Sequence, residues 1–415
     1  MPSRDRNLQH GEIIMTDKAW RLDRLGAMAD EWIAEREMFL SSMHAYLHNH
    51  LQHFHVPQPE AEPLPDGAYA AELAAIGDRL CQFARALDGM PWYQLRSRER
   101  LDEYRQSTDA TFGPPAIADA QRMAELTPPA WAAAAHDALR HGIGLQHHML
   151  QVLRDMPGQF DMGVFFFLRR LISQIKYLMY PVRNHIPAWQ RYWLLDEADV
   201  AIREPAEAHP DSGIHRYEID GHRGVYSAYV PEYYQPERPW PLILSMHGGN
   251  GNDEDFLWTW LKYAKSRGYL LISAKSFGPT WHAWDIDSVL LILDDMQTRY
   301  HVDAHRVLLT GLSDGGSFGY EVGLMHPERF AGLAVVAGIL RPHHRDPKAS
   351  QLPVYIAHGE QDQLFPISFI RAVQRNLSAW GHDVNYHEIP DFGHAYPPGE
   401  NSVILDWFEA HTTAA

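Results

Sequence analysis

From Asp17 to about Ala208 the apolar positions recur every three or four residues. Trp20, Leu22, Leu25, Met28, Trp32, Met38 and Phe39 trace one such stripe, with Asp17 placed to cap the helix that carries it. The same spacing predicts helices over Ala68–Ala86, Ser97–Gln106, Pro129–Met156, Phe160–Met179 and Ile186–Leu195. Proline-bearing stretches punctuate them: Pro57 to Pro65, Gly113-Pro114-Pro115, Pro128-Pro129 and Pro181. No fixed repeat runs through this half. The segment from Arg203 to Gly213 is polar and holds two prolines, so a domain boundary is expected there.

Beyond Gly213 the pattern changes. Ile214–Asp220 and Gly224–Val230 read as strands, with Asp220-Gly221 as the turn between them. Apolar runs then alternate with helical segments. The runs are Leu242–Met246, Tyr269–Ala274, Val307–Thr310, Leu333–Ala337, Val354–Ala357 and Val384–Ile389. The helices are Glu254–Arg267, Asp285–Tyr300, Ser317–Met325, Ile367–Trp380 and Asn401–His411. Such alternation predicts an α/β fold: a mostly parallel sheet covered by helices on both faces, with the opening hairpin as its antiparallel edge. The expected organisation is a poorly ordered N-terminus over 1–16, a large all-helical domain over 17–208 and an α/β domain over 209–415.

The 415 residues are 45% apolar, enough for a sizeable core, and include one cysteine, Cys81, so no internal disulfide can form. Cys81 lies in a helical run, where a small buried apolar role is expected. A formal net charge of -17 disfavours nucleic-acid binding, which needs a basic face. Met1 to Asp17 is polar and holds no apolar core of signal-peptide length. The most hydrophobic segment, Met162 to Tyr180, is broken by Arg169, Arg170 and Lys176, which argues against a membrane span. A soluble, cytoplasmic protein is expected.

The chemistry-bearing stretch is Gly311-Leu312-Ser313-Asp314-Gly315-Gly316, lying between the apolar run Arg306–Thr310 and a helix. Strand, Gly-x-Ser-x-Gly turn and helix make a nucleophile elbow, with Ser313 at its tip. A serine nucleophile needs a base, a carboxylate to hold the base, and N–H donors facing the developing oxyanion. In an α/β sheet these groups sit on loops after strand C-termini. Asp362, in His358-Gly359-Glu360-Gln361-Asp362, is the acid candidate, with Glu360 as its competitor. His394, in Phe392-Gly393-His394, follows the last strand and is the base candidate. Among 26 histidines, chain order singles it out. The oxyanion candidates are the backbone N–H groups of Asp314 and of Gly249 in His247-Gly248-Gly249-Asn250-Gly251, with Asn250 as the alternative to Gly249. No P-loop lysine follows those glycines, which speaks against a phosphate-binding loop.

These four motifs, in this order, resemble the α/β-hydrolase superfamily of serine esterases, in its carboxylesterase, phospholipase/carboxylesterase and polyhydroxybutyrate-depolymerase-like group. The resemblance covers about Gly213 to His411, just under half the chain. It implies a Ser313–His394–Asp362 triad, an acyl-enzyme route, and a carboxylic ester hydrolase without cofactor or metal. The N-terminal half has no counterpart in a compact minimal esterase. Alternatives on the same fold are a peptidase, a thioesterase, a C–C bond hydrolase or a catalytically silent binding protein.

Phe277, Trp281 and Trp284, after the strand Tyr269–Ala274, either line an apolar or aromatic substrate pocket or simply pack their loop onto the domain, and His343 and His344 could reach the mouth of such a pocket. The helical domain is expected to act as a cap, a homodimer surface or a docking module. As a cap it would offer Trp92, Tyr93, Phe165, Phe166 and Phe167, although packing within the helical core is the expected use of these side chains. A histidine cluster, His44, His48, His50, His53 and His55, lacks a neighbouring Glu or Asp that would complete a zinc motif, so no metal is expected there. The expected ligand is a small-molecule ester.

Overall fold

The computed structural model describes residues 64–412, apart from 96, 157, 159–160, 220, 222–223 and 342–351. The helix expected from Asp17, the His44–His55 cluster, the N-terminus over 1–16, and His343 and His344 lie outside the described residues. Glu60–Ala415 form one compact unit.

The helical part comprises α1 (Asp66–Asp88), a 3-10 turn (Trp92–Gln94), α2 (Arg98–Glu125), α3 (Ala133–Asp155), α4 (Met162–Met179), α5 (Pro187–Tyr192) and α6 (Val200–Arg203). On α3, residues Ala135, Leu139, Gly142, Ile143, Gln146, Met149, Leu150 and Leu153 form the buried stripe that a period of 3.6 requires. Asp161 caps α4 by accepting the Val164 N–H at 3.0 Å. The sole cysteine sits in α1. Burial pushes the Cys81 thiol up to about 11, and its Sγ lies 3.6 Å from the Ala188 carbonyl oxygen.

One break expected from sequence is absent. Gly113-Pro114-Pro115 was expected to end a helix near Gln106, but α2 runs through it to Glu125. Each proline removes one i→i−4 bond. Tertiary contacts on both sides of the prolines hold the helix instead. Leu101 and Thr108 before them, and Ala116, Asp119 and Met123 after them, are buried along one helix. Phe112 packs edge-on against Phe83 at 5.4 Å, and Asp119 accepts from the Arg79 guanidinium at 2.6 Å.

The α/β part follows as β1 (Gly213–Ile219), β2 (Gly224–Val230), β3 (Trp240–Met246), α7 (Asp253–Arg267), β4 (Leu270–Ala274), α8 (Asp285–Arg299), β5 (Val302–Leu312), α9 (Asp314–Met325), β6 (Gly332–Val336), β7 (Val354–Gly359), α10 (Ile367–Ala379), β8 (Val384–Ile389) and α11 (Glu400–Thr412). These eight strands form one sheet in the order β1-β2-β4-β3-β5-β6-β7-β8. β1 pairs antiparallel with β2, β2 antiparallel with β4, and every later pair is parallel. The expected mostly parallel sheet, antiparallel at its opening edge, is therefore present. All seven positions of β3 and all five of β4 are buried, as helices on both faces demand.

The two parts meet through aromatic rings and buried charge. Tyr177, Tyr180 and Trp193 surround Trp258 of α7 at centroid distances of 4.7, 6.0 and 4.9 Å. Beside them Arg183 donates to Glu204 at 2.6 and 2.8 Å and to Glu232 at 2.7 Å. Lys265, wholly buried on α7, bonds Glu232 and lies 3.0 Å from Glu204. Burial alone would raise the Glu232 carboxyl, but Lys265 and Arg183 hold it below the usual carboxylate range. Two cations and two carboxylates thus neutralise each other out of water.

Candidate active site

The sheet order brings the chemistry to one edge. β5 lies between β3 and β6, so the loop after β3 and the turn after β5 are neighbours. Ser313 is the single residue between β5 and α9, with φ +55° and ψ −113°. That left-handed conformation costs a residue with a Cβ about 1–3 kcal/mol, so the surroundings must enforce it. The flanking glycines show how. A Cβ on Gly311 would stand 2.4 Å from the Gly315 carbonyl oxygen, and a Cβ on Gly315 would stand 2.3 Å from that of His247. Strand, elbow helix and the loop after β3 pack backbone to backbone.

Three side chains from three strand ends converge. His394 Nε2 lies 2.8 Å from Ser313 Oγ, and His394 Nδ1 lies 2.7 Å from Asp362 Oδ2. The Asp362 side chain is buried and its Oδ1 accepts the N–H groups of Leu364 and Phe365 at 2.8 and 2.9 Å. Burial would raise this carboxyl. Hydrogen bonds from His358 and His394 and the Phe365 N–H outweigh it and hold Asp362 well below the usual range. An ionised carboxylate only accepts, so His394 carries its proton on Nδ1 and presents a lone pair on Nε2 to the Ser313 hydroxyl. Glu360, the competing acid, is exposed, and the hydrogen bond to His394 goes to Asp362.

The loop after β3 faces the elbow. A Cβ on Gly249 would meet Asp314 Cβ at 3.8 Å, which sets these two residues side by side. Asn250, the alternative donor, has its N–H engaged by the Pro279 carbonyl at 2.6 Å. The Gly248 carbonyl is taken from the other direction, by Gly251 N–H at 3.0 Å and His247 Nδ1 at 2.8 Å. Because a trans peptide points its C=O and N–H oppositely, fixing that carbonyl also aims the Gly249 N–H. His247 is buried. Its Nε2 accepts the Ser276 N–H at 3.4 Å, and burial lowers its basicity, so it holds the loop as a neutral ring.

The three aromatic candidates divide. Phe277 and Trp284 are 42% and 49% exposed, whereas Trp281 is 1% exposed. Trp281 donates its ring N–H to the His247 carbonyl at 2.8 Å and its backbone N–H to Asp314 Oδ2 at 2.7 Å, and it stacks on Phe318 at 5.2 Å. It is a strut between the β3 loop and α9. Sequence reasoning missed three supporting side chains. Asp285 is buried and accepts the Phe277 and His282 N–H groups at 2.9 and 2.8 Å, which pins this aromatic loop; burial raises its pKa to about 6. Arg341 bonds Asp314 at 2.9 Å and Glu321 at 2.7 Å. His358 Nε2 lies 3.2 Å from Asp362 Oδ2 and 2.8 Å from the Phe365 carbonyl. Its place four residues before the acid was the available signal.

Known proteins resemble the C-terminal part of the chain. A family model described as phospholipase/carboxylesterase matches residues 287–412, a span that includes Ser313, Asp362 and His394. The chain is similar to a bifunctional acetylxylan esterase/xylanase from Neocallimastix patriciarum, 27% identical over 158 residues, covering 36% of this chain and 23% of that protein. It is similar to a protein named as an esterase from Nocardia uniformis subsp. tsuyamanensis, 27% identical over 156 residues, covering 34% of this chain and 45% of the other. The chain thus spans less than half the length of either curated relative. Among solved structures it is similar to a thermostable esterase, with 20% identity and a TM-score of 0.41 over 48% of this chain and 62% of that one.

Proposed function

Because the C-terminal half of this chain is an α/β-hydrolase of the esterase kind, we propose that it cleaves carboxylic esters through an acyl-enzyme formed on Ser313. The observation that carries the reading is the hydrogen-bonded relay from Ser313 through His394 to Asp362, at 2.8 and 2.7 Å. In the first stage His394 Nε2 takes the hydroxyl proton as Ser313 Oγ attacks the ester carbonyl. The tetrahedral oxyanion is held by the N–H groups of Asp314 and Gly249, and Asp362 stabilises the imidazolium. His394 then passes its proton to the departing alkoxide, leaving an acyl-serine and a free alcohol. In the second stage water gives a proton to His394, attacks the acyl carbon, and releases the carboxylic acid as the proton returns to Ser313.

The substrate pocket of this reading is the aromatic loop bearing Phe277 and Trp284, half-exposed beside the oxyanion turn. The test is Ser313→Ala with p-nitrophenyl acetate. Loss of the nucleophile should lower kcat by at least ~10³-fold, by analogy with triad knockouts. Near-normal hydrolysis by a folded Ser313→Ala protein rejects the assignment. A panel of esters, thioesters, peptide amides and acetylated xylo-oligosaccharides then identifies the bond. The last belong in it because the Neocallimastix relative is named for acetylxylan.

A further inference from the structure

The loop that carries the catalytic base is touched by the helical half of the chain. Tyr93, in the 3-10 turn Trp92–Gln94, packs its ring on Phe392 at 4.8 Å. It also covers the next residue. A Cβ added to Gly393 would stand 3.1 Å from Tyr93 Cδ2 and 3.2 Å from its Cβ and Cγ. His394 is the following residue. From the sheet, β7 holds the same loop. The Gln361 N–H donates to the Phe392 carbonyl at 2.8 Å, and a Cβ on Gly359 would meet that oxygen at 2.3 Å. The His394 loop is therefore built against two supports, one from each half of the chain.

The support from the helices is itself braced. The turn is closed by Gln94 N–H to the Pro91 carbonyl at 2.8 Å and Leu95 N–H to that of Trp92 at 3.1 Å, with Met90 and Leu95 buried at its ends. Trp92 rests on Phe165 of α4 at 5.3 Å, and α4 runs on to Tyr177 and the aromatic cluster around Trp258. Buried charge pairs between Arg183, Glu204, Glu232 and Lys265 fasten the same junction.

Resting on the proposed Ser313–His394 chemistry, we infer that Tyr93 is a positioning residue for His394, and that the helical half is thereby a working part of the ester-cleaving site. The ring sets where the Phe392-Gly393 peptide lies, and so where the imidazole meets the Ser313 hydroxyl. A base displaced by about 1 Å loses as much as ~10²-fold in rate, without any change in ground-state ester binding.

The test uses the full chain, with p-nitrophenyl acetate and a fluorophosphonate probe. Tyr93→Ala should lower kcat by ~10- to 100-fold with KM unchanged and slow phosphonylation by the same factor. Tyr93→Phe, which keeps the ring, should restore both. Gly393→Ala should slow the parent protein but add nothing in the Tyr93→Ala background, because the methyl then enters the space the ring has left. A folded Tyr93→Ala protein with parental kcat overturns the inference, as does a Gly393→Ala effect that is undiminished without the ring. Should Tyr93→Ala not melt cooperatively, Gly393→Ala alone decides: an unaltered kcat refutes the inference and a fall with constant KM supports it. Failure of the parent to take up the probe sinks the triad itself, and this inference with it. A labelled parent with unaffected variants sinks this inference alone.

Discussion

Gly315→Ala adds one methyl group two residues beyond Ser313, the proposed nucleophile, at a point where α9 lies against the loop after β3. The new Cβ would stand 2.3 Å from the His247 carbonyl oxygen, 2.4 Å from that of Met246 and 2.8 Å from the Met246 carbonyl carbon. All three atoms are backbone, so no side chain can rotate away. Reaching even a tight contact of 3.0 Å requires a relative movement of about 0.7 Å between the elbow helix and the strand end that leads to Gly249. Overpacking of this kind costs ~1–3 kcal/mol of stability, so most of the protein should stay folded. The rate should suffer more. The same shift separates the Gly249 and Asp314 N–H groups, and a misplacement near 1 Å is worth ~10²-fold. The assay is kcat/KM on p-nitrophenyl acetate beside urea unfolding of the same preparation. Gly67→Ala on α1 serves as the control, because no atom lies within 4 Å of its added Cβ. A Gly315→Ala protein with undiminished kcat/KM would show that the two proposed oxyanion donors are not set by this backbone contact.

Two further outcomes concern stability. Lys265→Met removes the wholly buried ammonium that faces Glu232 and Glu204, leaving two carboxylates to one guanidinium, and should cost ~3–5 kcal/mol in urea unfolding. Asp285 has a carboxyl pKa raised by burial to about 6. The folded chain therefore binds a proton here more tightly than the unfolded chain does. This group's contribution is greatest below its unfolded pKa and declines as pH rises to about 6, by up to ~3 kcal/mol. Relative to Asp285→Asn, the parent should lose stability between about pH 4 and 6 and not beyond. A flat difference across that window would contradict the burial argument.

The parts of the fold that could be read from the sequence were those with local causes. Alternating apolar runs and helices gave the parallel sheet, and the order of Ser313, Asp362 and His394 behind successive strands pointed to the groups that now meet. What escaped depends on contacts between distant segments. Pro114 and Pro115 read as a break because the partners that pack against α2, Phe83 and Arg79, lie on another helix. Trp281 looked like a pocket wall, and only the neighbouring His247 carbonyl and Phe318 ring show it to be a strut. What sets Gly249 apart from Asn250 is the Pro279 carbonyl that engages the Asn250 N–H, nearly thirty residues onward in the chain. Tyr93 carries no motif at all; its place beside Gly393 follows from how two layers pack.

The lone thiol has a consequence of its own. With Cys81 sealed in α1 and its ionisation pushed to about 11, it offers almost no thiolate at neutral pH. Reductants have no disulfide to cut, and thiol-directed reagents meet almost no thiolate. A cysteine introduced at half-exposed Trp284 would consequently stand as the sole reactive sulfhydryl, a clean handle for a fluorophore or spin label on the loop proposed to line the substrate pocket.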